Sequence, residues 1–133
     1  MPVAMSGVKQ LYFKQNKYGN KKTVVDGIKF DSKLEAEYYQ LLKFKKAQGH
    51  IQDFKLQPRY TLQETFKRDG KTYRSITYIA DFEIMQNDGS VLVVDCKGMM
   101  TDVFKIKAKL FTKLHGSLYL VKKNRDGLTL EQF

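Results

Sequence analysis

The sequence brings a carboxylate and an ammonium group together at the end of an apolar strand. Asp95 and Lys97 follow four apolar residues, 91–94, and Gly98 comes directly after them. Because side chains alternate along a strand, Asp95 and Lys97 are expected on one face and Cys96 on the other. This pattern is typical either of a structural ion pair at a strand end or of a reactive carboxylate beside a cation.

A second acid, Asp81, is expected to lie beside Asp95. Residues 72–85 predict a strand, and the turn at residues 87–90 joins it to the strand that carries Asp95. Counting outward from the turn puts Asp81 opposite the region of Asp95, within a residue or two. Because like charges repel and each resists burial, two such carboxylates predict a cation between them.

We interpret that cation as a magnesium ion. Asp81 and Asp95 offer few, hard oxygen ligands and leave positions for water and a phosphate oxygen, as Mg²⁺ prefers. The backbone carbonyl of Cys96 is a candidate further ligand, and Glu35 is a candidate ligand either directly or through water. Lys97 is then expected to neutralise charge on a phosphate or to help orient the attacking water.

Glu35 belongs to the first turn of a predicted helix, where two roles compete for it. The Ser-Lys-Leu-Glu pattern at residues 32–35 is a capping box, in which the glutamate side chain can reach back to the Ser32 amide. A first-turn carboxylate beside the apolar face can instead point beyond the helix. Glu37 is the competing acid on this helix, which is expected to end at Gly49.

Other reactive residue types do not form a recognisable site. His50 and His115 are far apart and lie at predicted helix ends, where contact with the helix dipole is the expected role. Cys96 is the one cysteine, so it has no disulfide partner and is not expected to be a nucleophile or a zinc ligand. The sequence contains no glycine-rich phosphate loop, zinc-knuckle spacing or nucleophilic serine motif.

The elements that hold these residues alternate between strands and helices. Residues 23–30 predict a hairpin, and residues 51–62 predict a strand that Gln57-Pro58 interrupts at an edge or a bulge. Residues 91–121 predict a strand, a crossover helix and a parallel strand. The helix is expected over residues 103–115, capped by Thr101-Asp102, and no role is assigned to residues 122–133. Its apolar residues are Val103, Phe104, Ile106, Leu110, Phe111 and Leu114.

Positive charge is the main bias of the composition. The 133 residues include 24 Lys and Arg against 14 Asp and Glu, a formal net charge of +10, which indicates a polyanionic partner such as nucleic acid. Lys105, Lys109 and Lys113 recur at every fourth position of the second helix, as a DNA-binding stripe or a solvated face. The turn at Asp69-Gly70 carries a basic tip that either contacts phosphate or is solvated. Its cations are Lys67, Arg68, Lys71 and Arg74.

Residues 1–22 are interpreted as a basic N-terminal arm and residues 23–133 as a single domain. The arm has no acidic residue and includes Lys21 and Lys22, so it is expected either to follow a phosphate backbone or to be a frayed, disordered terminus. No apolar run is long enough for a membrane span and no signal-peptide core is present, so we expect a cytoplasmic protein without a membrane partner.

Four segments, taken in order, resemble a known family. They are the Ser32-Lys33-Leu34-Glu35 helix start, Gln57-Pro58, Tyr78-Ile79-Ala80-Asp81-Phe82, and Asp95-Cys96-Lys97 before a basic helix. The set resembles the PD-(D/E)XK nuclease superfamily, and within it small bacteriophage proteins similar to Holliday-junction resolvases and to the end-cleaving endonucleases of transposons. The resemblance covers residues 27–121. It departs from the family in having aspartate at position 95, where glutamate is common, and no proline before Asp81.

The resemblance implies a restriction-endonuclease-like α/β core, a mixed four-stranded sheet flanked by helices in the order α-β-β-β-α-β. It implies a Mg²⁺- or Mn²⁺-dependent endonuclease that hydrolyses DNA phosphodiester bonds and leaves a 5′ phosphate. By position it assigns metal binding to Asp81 and Asp95, a catalytic carboxylate to Glu35 and a catalytic ammonium to Lys97. Gln57 matches a position that is either near the site or structural.

The expected substrate is branched, Holliday-junction-like DNA in phage DNA recombination, and the expected location is the host cell cytoplasm. A homodimer suits a resolvase because two strands must be cut in matching positions. Two alternatives stay open. One is a catalytically silent DNA-binding accessory module with a nuclease-like fold, and the other is an RNA-processing hydrolase that uses the same residues.

Overall fold

The chain folds as a mixed α/β structure with two helices. The computed structural model describes residues 14–15 and 21–133, with side chains from Lys22 onward. The helices are α1 (Lys33–Ala47) and α2 (Asp102–His115). Most of the predicted arm, residues 1–22, lies outside the described residues, as does the side chain of Lys21. No helix in the described part of the chain is both long and apolar enough to cross a membrane.

Short strands make up most of the rest of the described chain. In chain order they are β1 (Lys14–Gln15), β2 (Lys21–Val25), β3 (Ile28–Phe30), β4 (Asp53–Leu56), β5 (Arg59–Gln63), β6 (Phe66–Arg68), β7 (Lys71–Tyr73), β8 (Ile76–Ile79), β9 (Phe82–Met85), β10 (Val91–Asp95), β11 (Leu118–Asn124) and β12 (Gly127–Gln132). The predicted hairpin at residues 23–30 is confirmed, with Asp26 at φ 55° and Gly27 at φ 77° in its turn. Both helices begin at the predicted caps, Ser32 and Thr101.

The central sheet has five strands in the order β12-β11-β10-β9-β4. β10 and β11 are parallel, as the strand-helix-strand pattern predicts, and the other neighbours are antiparallel. The expectation of four strands was wrong because β12, from the segment to which no role was assigned, pairs along β11. β4 forms the opposite edge, which agrees with the proline that follows it.

The predicted strand over residues 72–85 is divided into β7, β8 and β9, so the expectation of one continuous strand was wrong. β8 pairs with β5, whereas β9 pairs with β4 and β10. The change of partner occurs at Asp81, whose carbonyl accepts a hydrogen bond from the Gln57 amide, while the Ala80 amide donates to the Pro58 carbonyl. The bend also changes the faces: Tyr78 belongs to the cluster on the α2 side and Phe82 to the cluster on the α1 side.

The helices cover opposite faces of the central sheet. Residues of α1 such as Tyr38 and Leu42 pack with Phe82 and Val94. The other face packs against α2 through its buried residues Phe104, Ala108 and Phe111. Not every apolar residue of α2 contributes, because Val103, Ile106 and Leu114 are 63%, 59% and 52% exposed.

Candidate functional site

Two of the predicted acids lie on neighbouring strands at one end of the central sheet. Asp95 is the last residue of β10, and Val94 pairs with Phe82 across the ladder, so Asp81 is the next residue opposite Asp95. The bend at Asp81 turns its carboxylate back to the sheet end, where Oδ2 accepts a hydrogen bond of 2.8 Å from the Cys96 amide. The predicted opposition of Asp81 and Asp95 is therefore present.

Glu35 joins these acids from the first turn of α1. The hydroxyl of Ser32 accepts a hydrogen bond of 3.1 Å from the Glu35 amide, which satisfies one free donor of the helix start. The Glu35 side chain is buried and is in electrostatic contact with both Asp81 and Asp95. The competing acid, Glu37, instead forms an ion pair of 3.0 Å with Lys123. Of the two helical acids, only Glu35 lies with the strand carboxylates.

Burial and neighbouring acids change the protonation of Glu35 and Asp81. Burial raises the pKa of Glu35 to about 7, and the neighbouring Asp31 carboxylate adds to the rise. Burial also raises the pKa of Asp81, and the Asp95 carboxyl group, which lies within hydrogen-bonding reach, raises it further. Two carboxylates can share such a bond only when one is protonated, so the cluster resists full ionisation.

Asp95 is held at the centre of the group. It is 1% exposed, and the Tyr78 hydroxyl donates a short hydrogen bond to its Oδ2 atom. Oδ1 is buried and has no hydrogen-bond donor among the described residues. A buried carboxylate oxygen without a donor is costly, since desolvation is not offset by a partner.

The donor set fits a hard divalent ion, although the side chains are not already arranged around one. Asp81, Asp95 and Glu35 supply only carboxylate oxygens, which Mg²⁺ and Mn²⁺ accept, and the Oδ1 atom of Asp95 is an acceptor that lacks a donor. Within residues 22–133 no three Asp, Glu, His or Cys side chains form a group in metal-holding geometry. Shared coordination therefore requires side-chain rotation within this cluster.

A cleft of about 390 Å³ opens on this cluster. Glu35, Asp81 and Lys97 line it, together with Lys22, whose Nζ lies 3.0 Å from Asp31 Oδ1. The Lys97 ammonium lies 4.9 Å from the centre of the Phe104 ring rather than beside Asp95. Lys97 therefore lines the cleft without forming the strand-end ion pair that was the structural alternative for it.

Gln57 is a neighbour of the site. Its amide donates to the Asp81 carbonyl at 2.9 Å, and its side chain lines a smaller cavity with Glu35. Its φ of 50° is uncommon for a residue other than glycine. The strained backbone is held by the Asp81 contact, so Gln57 has a structural role here and also borders the site.

The remaining residues that the sequence analysis considered are a cysteine, a histidine and three lysines. Cys96 packs its side chain against the α1 cluster, and burial raises the pKa of its thiol, which agrees with an inert cysteine. His115 contacts the Thr61 carbonyl at 3.2 Å from the end of α2, away from the acids. The DNA-binding candidates Lys105, Lys109 and Lys113 are all exposed on α2.

The sequence interpretation missed Tyr78 as a site residue. The alternating pattern assigned it to an apolar strand face, but its hydroxyl is the donor to Asp95. A tyrosine hydroxyl usually finds a polar partner when buried, so the signal was present in the residue type. Its partner Asp95 is on β10, a strand that does not pair with β8, and the local pattern does not specify such a contact.

The chain is similar to one solved structure and to one protein family. A crystal structure described as that of SSO0001 has a TM-score of 0.45 and 18% sequence identity to it, over 74% of this chain and 48% of the other. The chain thus spans about half the length of that protein. No curated protein matches the chain. The family model described as "Protein of unknown function (DUF1064)" matches residues 15–125, and the chain therefore belongs to the DUF1064 family.

Proposed function

We propose that the protein is a Mg²⁺- or Mn²⁺-dependent endonuclease that hydrolyses phosphodiester bonds in branched DNA. The observation that carries the proposal is the meeting of Glu35, Asp81 and Asp95 at one sheet end. Glu35 and Asp81 line a cleft together with Lys97, and Asp95 is buried beside them. Buried acids at this spacing stabilise nothing by themselves, since they repel and Asp95 Oδ1 lacks a donor. A cation and a phosphate are the partners that their chemistry suits.

The order of elements supports a restriction-endonuclease-like core. When the β5–β8 ladder and the β6–β7 hairpin are set aside, the chain runs α1, β4, β9, β10, α2, β11, with β10 and β11 parallel. This is the α-β-β-β-α-β order implied by the resemblance to the PD-(D/E)XK superfamily, with β12 added at the edge. The acids lie on α1, before β9 and at the end of β10, and these positions support the resemblance.

In this proposal Asp81 and Asp95 hold the metal ion, and Glu35 joins directly or through water. When bound, the ion polarises a phosphate and makes a nucleophile available near neutral pH. Tyr78 orients Asp95 through its hydrogen bond to Oδ2, which leaves Oδ1 as the free acceptor. Lys97 is free of an ion pair among the described residues, so its ammonium can turn from the Phe104 ring to the scissile phosphate.

The test is a cleavage assay with full-length protein. Wild type and Asp95→Asn are incubated with Mg²⁺, Mn²⁺ or Ca²⁺ and with four-way junction, flap, single-stranded, duplex and RNA substrates. We expect wild type to cleave the branched DNA with Mg²⁺ or Mn²⁺ and Asp95→Asn to lose that activity. Asp126→Asn, which removes a carboxylate from an exposed turn, is the matched control.

Equal cleavage by wild type and Asp95→Asn would show that the site is assigned wrongly. Cleavage of RNA in preference to DNA would identify the RNA-processing alternative. The second candidate function, a catalytically silent DNA-binding module, is favoured by the exposed lysines of α2 and by the need for side-chain rotation before a metal ion can be shared. Salt-sensitive DNA binding that is unaffected by metal, with no nicking under any divalent ion, would support it.

A further inference from the structure

The hairpin formed by β6 and β7 takes no part in the core. Every residue from 63 to 76 is exposed, and the two strands pair only with each other. The turn at Asp69 and Gly70 has positive φ at both positions, as a tight two-residue hairpin turn requires. An arm of this kind adds little to the stability of the fold, so its composition is not explained by packing.

One face of the hairpin carries an aromatic pair. Phe66 pairs with Tyr73 across the strands, and their rings are stacked, with centroids 4.9 Å apart and planes 10° apart. Phe66 is 42% exposed and Tyr73 is 40% exposed. Lys71 lies over the Tyr73 ring at 5.2 Å from its centre. The pair forms a flat aromatic platform about the size of a base, which is partly open to solvent and has Lys71 over its Tyr73 ring.

The hairpin has an excess of positive charge around this platform, with four cations against the two acids Glu64 and Asp69. None of the hairpin cations forms an ion pair with any residue in the described part of the chain. They are Lys67, Arg68, Lys71 and Arg74. Arg68 pairs with Lys71 next to the turn, so two like charges are held together at the tip. Unpaired cations beside an exposed aromatic platform complement the phosphates and bases of a nucleic acid.

β8 follows the hairpin in the chain, and a groove beside β8 leads to the candidate site. The groove has a volume of about 310 Å³ and is lined by Thr77 and Ile79 of β8 and by Lys107 of α2. Lys97 and Thr101 line both this groove and the cleft over the acids. From Tyr73 to Asp81 the chain can span at most about 28 Å. One nucleic-acid strand can therefore contact both the cleft and the hairpin.

We propose that the β6–β7 hairpin is a DNA-binding arm that stacks the Phe66–Tyr73 pair on an exposed base and holds the flanking phosphates with Arg68 and Lys71. Within a continuous duplex the faces of the bases are covered by their neighbours, so an aromatic platform can stack only where the duplex ends, branches or opens. The arm thus selects unpaired or branch-point bases over continuous duplex. This inference rests on the proposed function for the identity of the polymer.

The experiment measures DNA binding by full-length protein in EDTA, so that cleavage does not interfere. The probes are a fluorescent single strand, a four-way junction and a duplex closed by loops at both ends. Phe66→Leu/Tyr73→Leu keeps apolar side chains but removes the platform, and Arg68→Gln/Lys71→Gln removes the tip charges. Lys45→Gln/Arg125→Gln, near the end of α1 and at the β11–β12 turn, removes the same charge from two cations that form no ion pair in the described part of the chain and is the matched control. All substituted hairpin residues are exposed, and thermal unfolding verifies that each variant is folded.

We expect Phe66→Leu/Tyr73→Leu to weaken binding to the single strand and the junction about tenfold or more, and binding to the closed duplex far less. Arg68→Gln/Lys71→Gln is expected to reduce the slope of log affinity against log salt for the single strand by about 1.4, at 0.7 for each phosphate contact. The inference is overturned if the hairpin variants bind like the control, or if the leucine variant loses affinity equally for all three probes.

Cleavage with Mg²⁺ separates the two proposals. Normal binding by the hairpin variants, with cleavage by wild type, overturns the arm and leaves the nuclease proposal intact. The expected binding losses, with no cleavage of any substrate under any divalent ion, support the arm and contradict the nuclease proposal.

Discussion

The carboxylates of the site destabilise the metal-free fold. Asp81 and Asp95 lie within hydrogen-bonding reach, but no proton is available to both when they are ionised. The Cys96 amide and the Tyr78 hydroxyl each satisfy one carboxylate oxygen, and Asp95 Oδ1 is left without a donor. The fold must offset this cost elsewhere, which is the usual situation at functional sites.

The first prediction concerns the substitution Asp81→Asn. The amide keeps an oxygen for the Cys96 amide and donates to the Asp95 carboxylate without having to take up a proton, so the metal-free protein should become more stable by about 1–3 kcal/mol. Thermal or urea unfolding in EDTA near neutral pH measures this change. The same variant should lose stabilisation by Mg²⁺. Asp126→Asn is the control, and a drop in stability in EDTA for Asp81→Asn would contradict the prediction.

The second prediction concerns the Tyr78 hydroxyl, which donates a hydrogen bond to Asp95. Tyr78→Phe removes the hydroxyl and leaves a buried carboxylate with one partner fewer, so the free energy of unfolding should fall by about 1.5–3 kcal/mol. Tyr73→Phe is the matched control, because Tyr73 is exposed and should change stability by less than about 0.5 kcal/mol. Urea unfolding of both variants measures the difference, and equal stabilities would show that the Tyr78–Asp95 bond contributes nothing.

The sequence pattern of α2 predicted the helix but not the side of it that is buried. Apolar residues occupy two sides of the helix, and only the side with Phe104, Ala108 and Phe111 is buried against the sheet. Ile106 lies on the other side and is 59% exposed. A helical pattern with two apolar sides does not specify which one faces the core. Packing against the strands selects the buried side: the ring of Tyr78 on β8 lies 5.5 Å from the ring of Phe111.

The third prediction compares one substitution on each side of α2. Phe111→Ala should lower the free energy of unfolding by about 3–5 kcal/mol because it leaves a cavity in the core. Ile106→Gln should change it by less than about 0.5 kcal/mol, since the side chain is already in water. Urea unfolding distinguishes the two. A large loss for Ile106→Gln would mean that this side of α2 is covered in solution.

For the whole molecule the dominant property is its net charge of +10. The cations with no structural role include Lys105, Lys109 and Lys113, which are exposed on α2 and form no ion pair in the described part of the chain. Charge of this kind gives affinity for a phosphate backbone without sequence specificity. In the proposed function the acids of the site carry out the chemistry, and these cations retain the polymer.

The fourth prediction concerns DNA binding by the three exposed lysines of α2. Replacing Lys105, Lys109 and Lys113 by Gln should reduce the slope of log affinity for duplex DNA against log salt by about 2.7, at 0.9 for each lost phosphate contact. A variant with Lys45, Lys122 and Arg125 replaced by Gln loses the same charge at other positions and serves as the control. If both variants change the slope equally, net charge rather than the α2 stripe is responsible. Fluorescence anisotropy over a range of salt concentrations measures the slopes.

Much of the fold was predictable because its signals are local. Capping at Ser32 and Thr101, the Asp26-Gly27 turn and the strand-helix-strand pattern after residue 90 depend on residues close in the chain, and all are present. The opposition of Asp81 and Asp95 could also be counted from a short turn. These features need no information about distant segments.

The amino-acid sequence by itself determined the helices, the turns, the order of the acids and the excess of positive charge. Only the tertiary structure decided that the strand breaks at Asp81, that β12 adds a fifth strand, that Tyr78 supplies the donor to Asp95 and that Glu35 turns inward while Glu37 pairs with Lys123. The physical reason is that each of these depends on which distant segment packs alongside. Local conformational preference does not contain that information, whereas pairing and burial do.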